Sequence, residues 1–436
     1  MFNQELRRQA LRTARDTLSR ISDRKEACRL CRVLPGPPGL RRNRSWKRHD
    51  LACGDAGHAL AYGHVHRIWP HEGWEKLTDR YLQEAIKGIK KSSAAPLGLF
   101  EGITAVTFAL RYSVRPQYQK NLAALEERLF TETRAWLSTL PRRGGVAVHE
   151  YDVISGLSGI GRYLLEASGE SATAEKLLRK VLRVFIDWTS IEKTTGFYTP
   201  REFVSGFEVV HKPDLAGGYV NCGLAHGVPG PLALMALSHR KGLEVDGLPE
   251  AIDKLSRWLI ARFRETRWGP DVPYYLPLVP EDSKDLPSRT AWCYGNAGVA
   301  RALQLAGVAL KDSEFRLHSL DLMHSIIRRP ARARKAPAAT LCHGLAGLLQ
   351  VTLRYLQDGQ YSEQPDPSLF RFANRTLRSI LNQFDESSST GFRNFEPGTG
   401  WVADPGFLEG STGVALVLLG SCSETESDWD QVLLLS

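Results

Sequence analysis

A short segment recurs seven times along the 436-residue chain, and this recurrence constrains the fold more than any other feature. Each copy is a Gly-x-x-Gly or Gly-x-x-Ala turn that runs straight into an apolar, helix-compatible stretch. The copies begin at Gly54, Gly102, Gly156, Gly227, Gly295, Gly344 and Gly410, spaced by 48, 54, 71, 68, 49 and 66 residues. One such turn carries no information, whereas seven in series mark a repeat architecture. Between them lie longer amphipathic segments with apolar residues three and four apart. Examples are Leu122, Leu125, Leu129 and Trp136; Leu178, Val181, Leu182 and Phe185; Ile252, Leu255, Leu259 and Phe263; and Phe315, Leu320, Met323 and Ile327.

Each unit therefore reads as an outer helix, a loop, and an inner helix entered through glycines. Small residues let the inner helices crowd around an axis and free the backbone for tight entry turns. A single helix pair leaves its apolar face bare, and closing the array into a ring covers every face. The expected fold is all-α: an α/α toroid, or barrel, of seven helix-pair repeats over residues 49–436. Residues 195–221 lie in the longest spacing. There Tyr198, Phe203, Phe207, Val209 and Val210 suit short strands, so the stretch reads as a small β-containing insertion. Residues 266–288, rich in proline, aromatics and acids, read as a loop over the site.

Composition limits the remaining choices. A 42% hydrophobic, 24% charged chain is that of a globular protein with a sizeable core, not of a disordered or collagen-like one. No apolar run approaches the roughly 20 residues of a membrane helix. Residues 1–30 lack the pattern of a secretory signal, so the expected location is the cytoplasm. Seven widely spread cysteines do not make a disulfide framework and suggest thiol or metal chemistry. Of the net charge of +9, all sits in residues 1–50, which carry 14 Lys or Arg against 5 Asp or Glu. Residues 1–48 thus form a basic, partly helical extension, suited to an acidic peptide. It lacks the interleaved aromatics of a nucleic-acid surface, and no nucleic-acid partner is expected.

Ring closure brings the start of every inner helix to one end, together with the partial positive charge of the helix termini. The residues just before each first glycine are therefore the candidate site. Counting that glycine as zero, Cys293 and Cys342 both stand at minus two, and His226 and His343 at minus one. Two cysteines at equivalent places in adjacent repeats, with a histidine beside one, give the Cys2His donor set of a catalytic zinc ion with an open fourth position. His226 suits general acid–base work near neutrality. Asp152 precedes its glycine by four residues and Arg289 by six; they can pair with each other, orient His226 or hold an enolate oxygen. Tyr294 fills the minus-one place beside Cys293. Cys28-Arg29-Leu30-Cys31 lacks the second pair of a zinc ribbon, and His64, His66 and His71 form only a loose cluster; both read as structural.

With Tyr151-Asp152-Val153-Ile154-x-Gly156-Leu157-Ser158-Gly159, Ala225-His226-Gly227-x-Pro229-Gly230, Trp292-Cys293-Tyr294-Gly295 and Cys342-His343-Gly344, the chain resembles the lanthionine synthetase C family from about residue 50 to 420. The resemblance implies a zinc-dependent lanthipeptide cyclase, with one Zn2+ on Cys293, Cys342 and His343 and with His226, Asp152 and Arg289 catalytic. Such an enzyme adds peptide cysteine thiols to dehydroalanine or dehydrobutyrine and forms lanthionine or methyllanthionine rings. Its implied partners are a dehydrated precursor peptide with its leader, a separate dehydratase and a membrane-associated transporter. No kinase-like loop or dehydratase-sized segment precedes the repeats, so a stand-alone cyclase is expected. Ala297 departs from the proline that relatives often carry there. The alternative is a non-cyclising relative that binds glutathione or another thiol, or serves as a scaffold. A zinc prenyltransferase would show an Asp ligand, and a glycosidase a pair of acids at the rim.

Overall fold

The computed structural model describes residues 2–32, 46–92, 94–142, 145–190, 195–278, 287–358, 366–425 and 427–436. Helices dominate it, and all seven glycine turns open one. These inner helices are Asp55–Ile68, Ile103–Ser113, Leu157–Ala167, Pro229–Arg240, Asn296–Ala309, Leu345–Asp358 and Ser411–Cys422. They are apolar around most of their circumference, and residues 55–65 and 411–419 are buried without a break. A helix that is hydrophobic on every side must be surrounded by protein.

The described chain forms two compact units, residues 1–96, 100–126 and 336–430, and residues 97–99, 127–335 and 431–436. In the first, Asp55–Ile68 packs against Ile103–Ser113, Ser411–Cys422 and the outer helix Trp74–Lys90, and Leu345–Asp358 packs against Pro367–Leu381. The helix Gln4–Arg20, from the basic N-terminal stretch, packs against Ser411–Cys422 and buries Leu6, Ala10, Ala14 and Leu18. In the second, Leu157–Ala167, Pro229–Arg240 and Asn296–Ala309 pack in series and carry the outer helices Ala172–Thr189, Leu248–Ile260 and Ser313–Arg328. The pairing runs from inner helix to the outer helix that follows, rather than from outer to inner.

The outer helices behave as amphipathic elements. Ala172–Thr189 buries Leu177, Leu178, Val181, Leu182 and Phe185, each worth about 1.5–3 kcal/mol of transfer free energy. Side-chain caps begin several of them: Ser171 accepts from the Ala174 amide and Asp312 from that of Phe315. In Ser313–Arg328 the buried stripe is Phe315, Ser319, Leu322, Met323 and Ile326, whereas Leu320 and Ile327 are only half-buried.

Five of the inner helices have a glycine N-cap with no side-chain hydrogen bond, and entry loops cap inner helices instead. The amides of Gly57, Gly159, Gly298 and Gly347 donate to the carbonyls of Asp50, Asp152, Ala291 and Thr340, each four residues before the first glycine of its repeat. The loop thus folds back over the first helical turn. A Cβ on Gly298 would lie 2.1 Å from the Trp292 carbonyl oxygen, and one on Gly159 2.2 Å from that of Val153. The second glycine of the motif therefore serves close approach of its own loop, a more local cause than crowding among helices.

Strands are few and short. Tyr198–Pro200, Gly218–Asn221 and Tyr275–Pro277 form a three-stranded antiparallel sheet with Gly218–Asn221 in the middle. The 195–221 stretch is thus partly β, but Phe203 lies in a 3-10 turn and 207–210 in the short helix Gly206–His211. Residues 264–271 form a hairpin, as do 393–403. No helix among the described residues is long and apolar enough to cross a membrane.

Candidate metal centre and proton-transfer pair

The entry loops are tied to one another by their main chains. In the second unit the Val153 amide donates to the Ala225 carbonyl at 3.0 Å, and the Ala225 amide to that of Cys293 at 3.2 Å. In the first, Cys342 donates to Leu408 at 2.7 Å, Leu408 to Ala52 at 3.2 Å, and Leu51 to Phe100 at 2.7 Å. These residues stand two or three before their glycines. One loop's backbone therefore fixes the next, and the minus-one side chains project from a common register. Those seven are Cys53, Glu101, Ser155, His226, Tyr294, His343 and Glu409, and every one is half-buried.

Cys293 is 5% exposed, and Cys342 and His343 are half-buried. Cys293 lies in the second unit and Cys342 and His343 in the first, each just before the first glycine of its repeat. Two thiols and an imidazole are a soft-to-borderline donor set that fits zinc rather than magnesium or calcium. Glu409 Oε1 faces His343 Nδ1 at 3.8 Å.

Asp152 is almost wholly buried, and its two oxygens have different tasks. Oδ1 accepts from the amides of Ser155 and Gly156 at 2.7 and 2.8 Å, at the start of the helix Leu157–Ala167. Oδ2 meets His226 Nδ1 at 2.6 Å. Burial pulls the His226 pKa down, but the hydrogen bond and the charge of Asp152 more than offset it, and the net shift is upward. The contact engages Nδ1 and leaves Nε2 as the ring nitrogen turned away from the carboxylate.

Beside His226 lies the Tyr294 ring, 6.0 Å away between centroids. The Tyr294 hydroxyl receives Asn221 Nδ2 at 3.0 Å and stands 3.2 Å from the Tyr275 hydroxyl, which Lys212 Nζ reaches at 2.7 Å. Arg289 meets Tyr274, whose hydroxyl accepts the Arg289 amide at 2.5 Å. The tyrosine is raised by burial and lowered in part by the arginine. Asp152 is thus the group that holds His226, and Arg289 is placed against the tyrosine cluster.

The loop into Cys293 is anchored from beneath. Arg329 donates to Asp271 Oδ1 at 2.6 Å and to the Ser288 carbonyl at 2.8 Å, and Ser288 itself binds both oxygens of Asp271. Sequence reasoning missed Glu409, Asn221, Lys212, Tyr274 and Tyr275. Glu409 was within reach, because reading the minus-one column through all seven repeats finds it. The others come from the sheet and from residues outside that register. His64 is buried, bonds the Tyr112 hydroxyl at 2.8 Å and has its pKa lowered to about 4 by burial, so it is a core residue.

The family described as lanthionine synthetase C-like protein matches residues 45–434. The nisin biosynthesis protein NisC of Lactococcus lactis subsp. lactis is 23% identical over 377 residues, 83% of each chain. The solved structure of nisin cyclase matches with a TM-score of 0.74 at 21% identity, over 90% of this chain and 93% of that one. The shared fold is the α/α toroid expected from the repeat. With its glycine-turn repeats, its Cys, Cys and His donors and a family match over most of its length, this chain belongs to the lanthionine synthetase C-like family.

Proposed function

We propose that this protein is a zinc-dependent lanthipeptide cyclase, which adds cysteine thiols of a dehydrated precursor peptide to dehydroalanine or dehydrobutyrine in the same peptide. The observation that carries this reading is the His226 imidazole held on the buried Asp152 carboxylate, in the same loop register as the donor residues Cys293, Cys342 and His343. Similarity to a protein named for nisin biosynthesis supports it.

Cys293, Cys342 and His343 would hold one Zn2+, leaving a fourth position for substrate. When bound, the ion favours the thiolate form of a thiol that reaches it and so supplies a nucleophile near neutral pH. Glu409 lies beside His343, 3.8 Å from Nδ1, and would help to orient the ring as a ligand. His226 manages the proton, held in one orientation by Asp152. As sulfur bonds the β-carbon of the dehydro residue, the double-bond electrons pass towards the carbonyl, and His226 Nε2 returns a proton to the α-carbon. The thiol gives up one proton and the α-carbon gains one, so the addition is balanced. Arg289, set against Tyr274, supports the negative charge on the enolate oxygen. The peptide must arrive dehydrated, so a dehydratase acts before this protein, in a cytoplasmic assembly with a membrane transporter.

The test is incubation of the purified protein with a dehydrated precursor, free thiols being counted by alkylation. Thiols fall with zinc present and stay in the Cys342→Ala variant or after chelation. Undiminished thiols in the zinc-loaded protein would sink the cyclase reading, and full activity in Cys342→Ala would sink the zinc assignment. A relative that only binds glutathione or another thiol leaves the peptide thiols untouched, and it has less use for a proton-transfer pair such as Asp152 and His226.

A further inference from the structure

We infer that Cys31, Cys53 and Asp404 form a second metal site, for a thiol-seeking divalent cation of the zinc class, apart from the Cys293, Cys342 and His343 group. Their ligand atoms lie within 4.8 Å of one another, one of two such sets among the described residues. All three belong to the first compact unit. Cys31 and Asp404 are 1% and 2% exposed, and Cys53 is half-buried. They come from three separate stretches: the helix Arg24–Arg32, the turn into Asp55–Ile68 and the loop into Ser411–Cys422.

Hydrogen bonds hold the two loops in place without using the sulfurs. Asp50 Oδ1 accepts the Cys53 amide at 2.8 Å, and Asp404 Oδ1 accepts that of Gly406 at 2.7 Å. The Phe407 and Leu408 amides both donate to the Ala52 carbonyl. The arrangement follows the register of the proposed cyclase site. Cys53 stands at minus one, as His343 does, and Asp404 at minus six, as Arg289 does. Asp50 braces its loop from minus four, the place of Asp152.

Two thiols and a carboxylate select a borderline cation such as zinc, since magnesium and calcium prefer oxygen donors alone. The Cys31 and Cys53 sulfurs are 2.7 Å apart, beyond the roughly 2.05 Å of a disulfide. Two thiolates on one tetrahedral zinc, with bonds of about 2.3 Å, stand about 3.8 Å apart, so loading spreads them by about 1 Å. A disulfide would leave the buried Asp404 carboxylate against an apolar bridge, whereas a dication offsets two of the three negative charges of the carboxylate and the two thiolates. Each thiol releases its proton to solvent as the metal enters.

The test uses the full chain, reduced, stripped of metal and titrated with Co2+, with bound metal counted by mass spectrometry and thiolate-to-cobalt charge transfer read in the near ultraviolet. The wild type takes two equivalents, and Cys31→Ser/Cys53→Ser takes one fewer. Cys293→Ser/Cys342→Ser keeps one, with its charge-transfer band, and adding Asp404→Asn to that variant weakens the remaining site at least tenfold. A Cys293→Ser/Cys342→Ser protein that folds by circular dichroism and takes no cobalt overturns the site, as does a cross-linked Cys31–Cys53 pair whose reduction adds no metal capacity. If that variant does not fold, an unchanged metal count between wild type and Cys31→Ser/Cys53→Ser overturns it. Loss of the other equivalent bears on the cyclase reading alone, so the two failures are distinguishable.

Discussion

At the scale of single residues, the histidine proton is the feature most open to measurement. Burial alone would make His226 a weaker base, and Asp152 reverses the sign. Because the folded pKa is raised, the pair's contribution to stability is full below the unfolded value of about 6.5 and is lost as pH rises through the folded one. Asp152→Asn removes the charge and leaves the burial, so the His226 pKa falls below its ordinary value. If the protonated ring is the acid in the addition, the alkaline limb of the pH–rate profile moves to lower pH in the same variant. A proton NMR titration of His226 and the pH dependence of ring formation check the two together, and an unmoved limb would separate Asp152 from the chemistry. The candidates were legible because repetition aligned Cys293 with Cys342 and His226 with His343. What Asp152 and Arg289 each do was not legible, since spacing does not say which of them reaches the imidazole.

Among elements, the loop that delivers Cys293 rests on an ion pair with almost no access to water: Arg329 is fully buried and Asp271 nearly so. Removing one partner of such a pair costs about 3–5 kcal/mol, because the other charge is left buried and uncompensated. Arg329→Met is therefore expected to lower the urea midpoint markedly, and to weaken zinc binding in so far as the loop presents Cys293. Gly298→Ala tests the second glycine of the same loop. Its Cβ meets the Trp292 carbonyl, and such overpacking costs about 1–3 kcal/mol in denaturant unfolding. Outer helices were readable from period alone, as the Leu177 to Phe185 stripe shows. The segment around Val209 was not. Its β-branched residues suggest a strand, yet Ser205 and Glu208 form a reciprocal cap that starts a helix, and Val210 is exposed.

For the molecule as a whole, charge and fold meet in the N-terminal stretch. The helix Gln4–Arg20 is packed against Ser411–Cys422, so deleting it would expose apolar surface as well as remove charge. The basic run at Arg41, Arg42 and Arg44 lies outside the described residues and is the cleaner target. If it attracts an acidic leader peptide, replacing the three by serine weakens peptide binding at low salt. The difference closes as the Debye length shrinks to about 3 Å near 1 M salt, which fluorescence anisotropy at several ionic strengths would show. The toroid itself was legible because the repeat leaves few other ways to cover seven apolar faces. The hairpins escaped notice, being too short to set a period.

The ladder of main-chain bonds between entry loops has a consequence for how chemistry can change on this scaffold. Leu51, Val153, Ala225, Cys342 and Leu408 hold their neighbours through amides and carbonyls, which every residue but proline can supply. The neighbouring minus-one side chains take no part in those rungs, and they already range from thiol to carboxylate, hydroxyl, imidazole and phenol. The scaffold is a rack with exchangeable tools, on which a new reaction requires substitutions at a handful of fixed stations and no new loop.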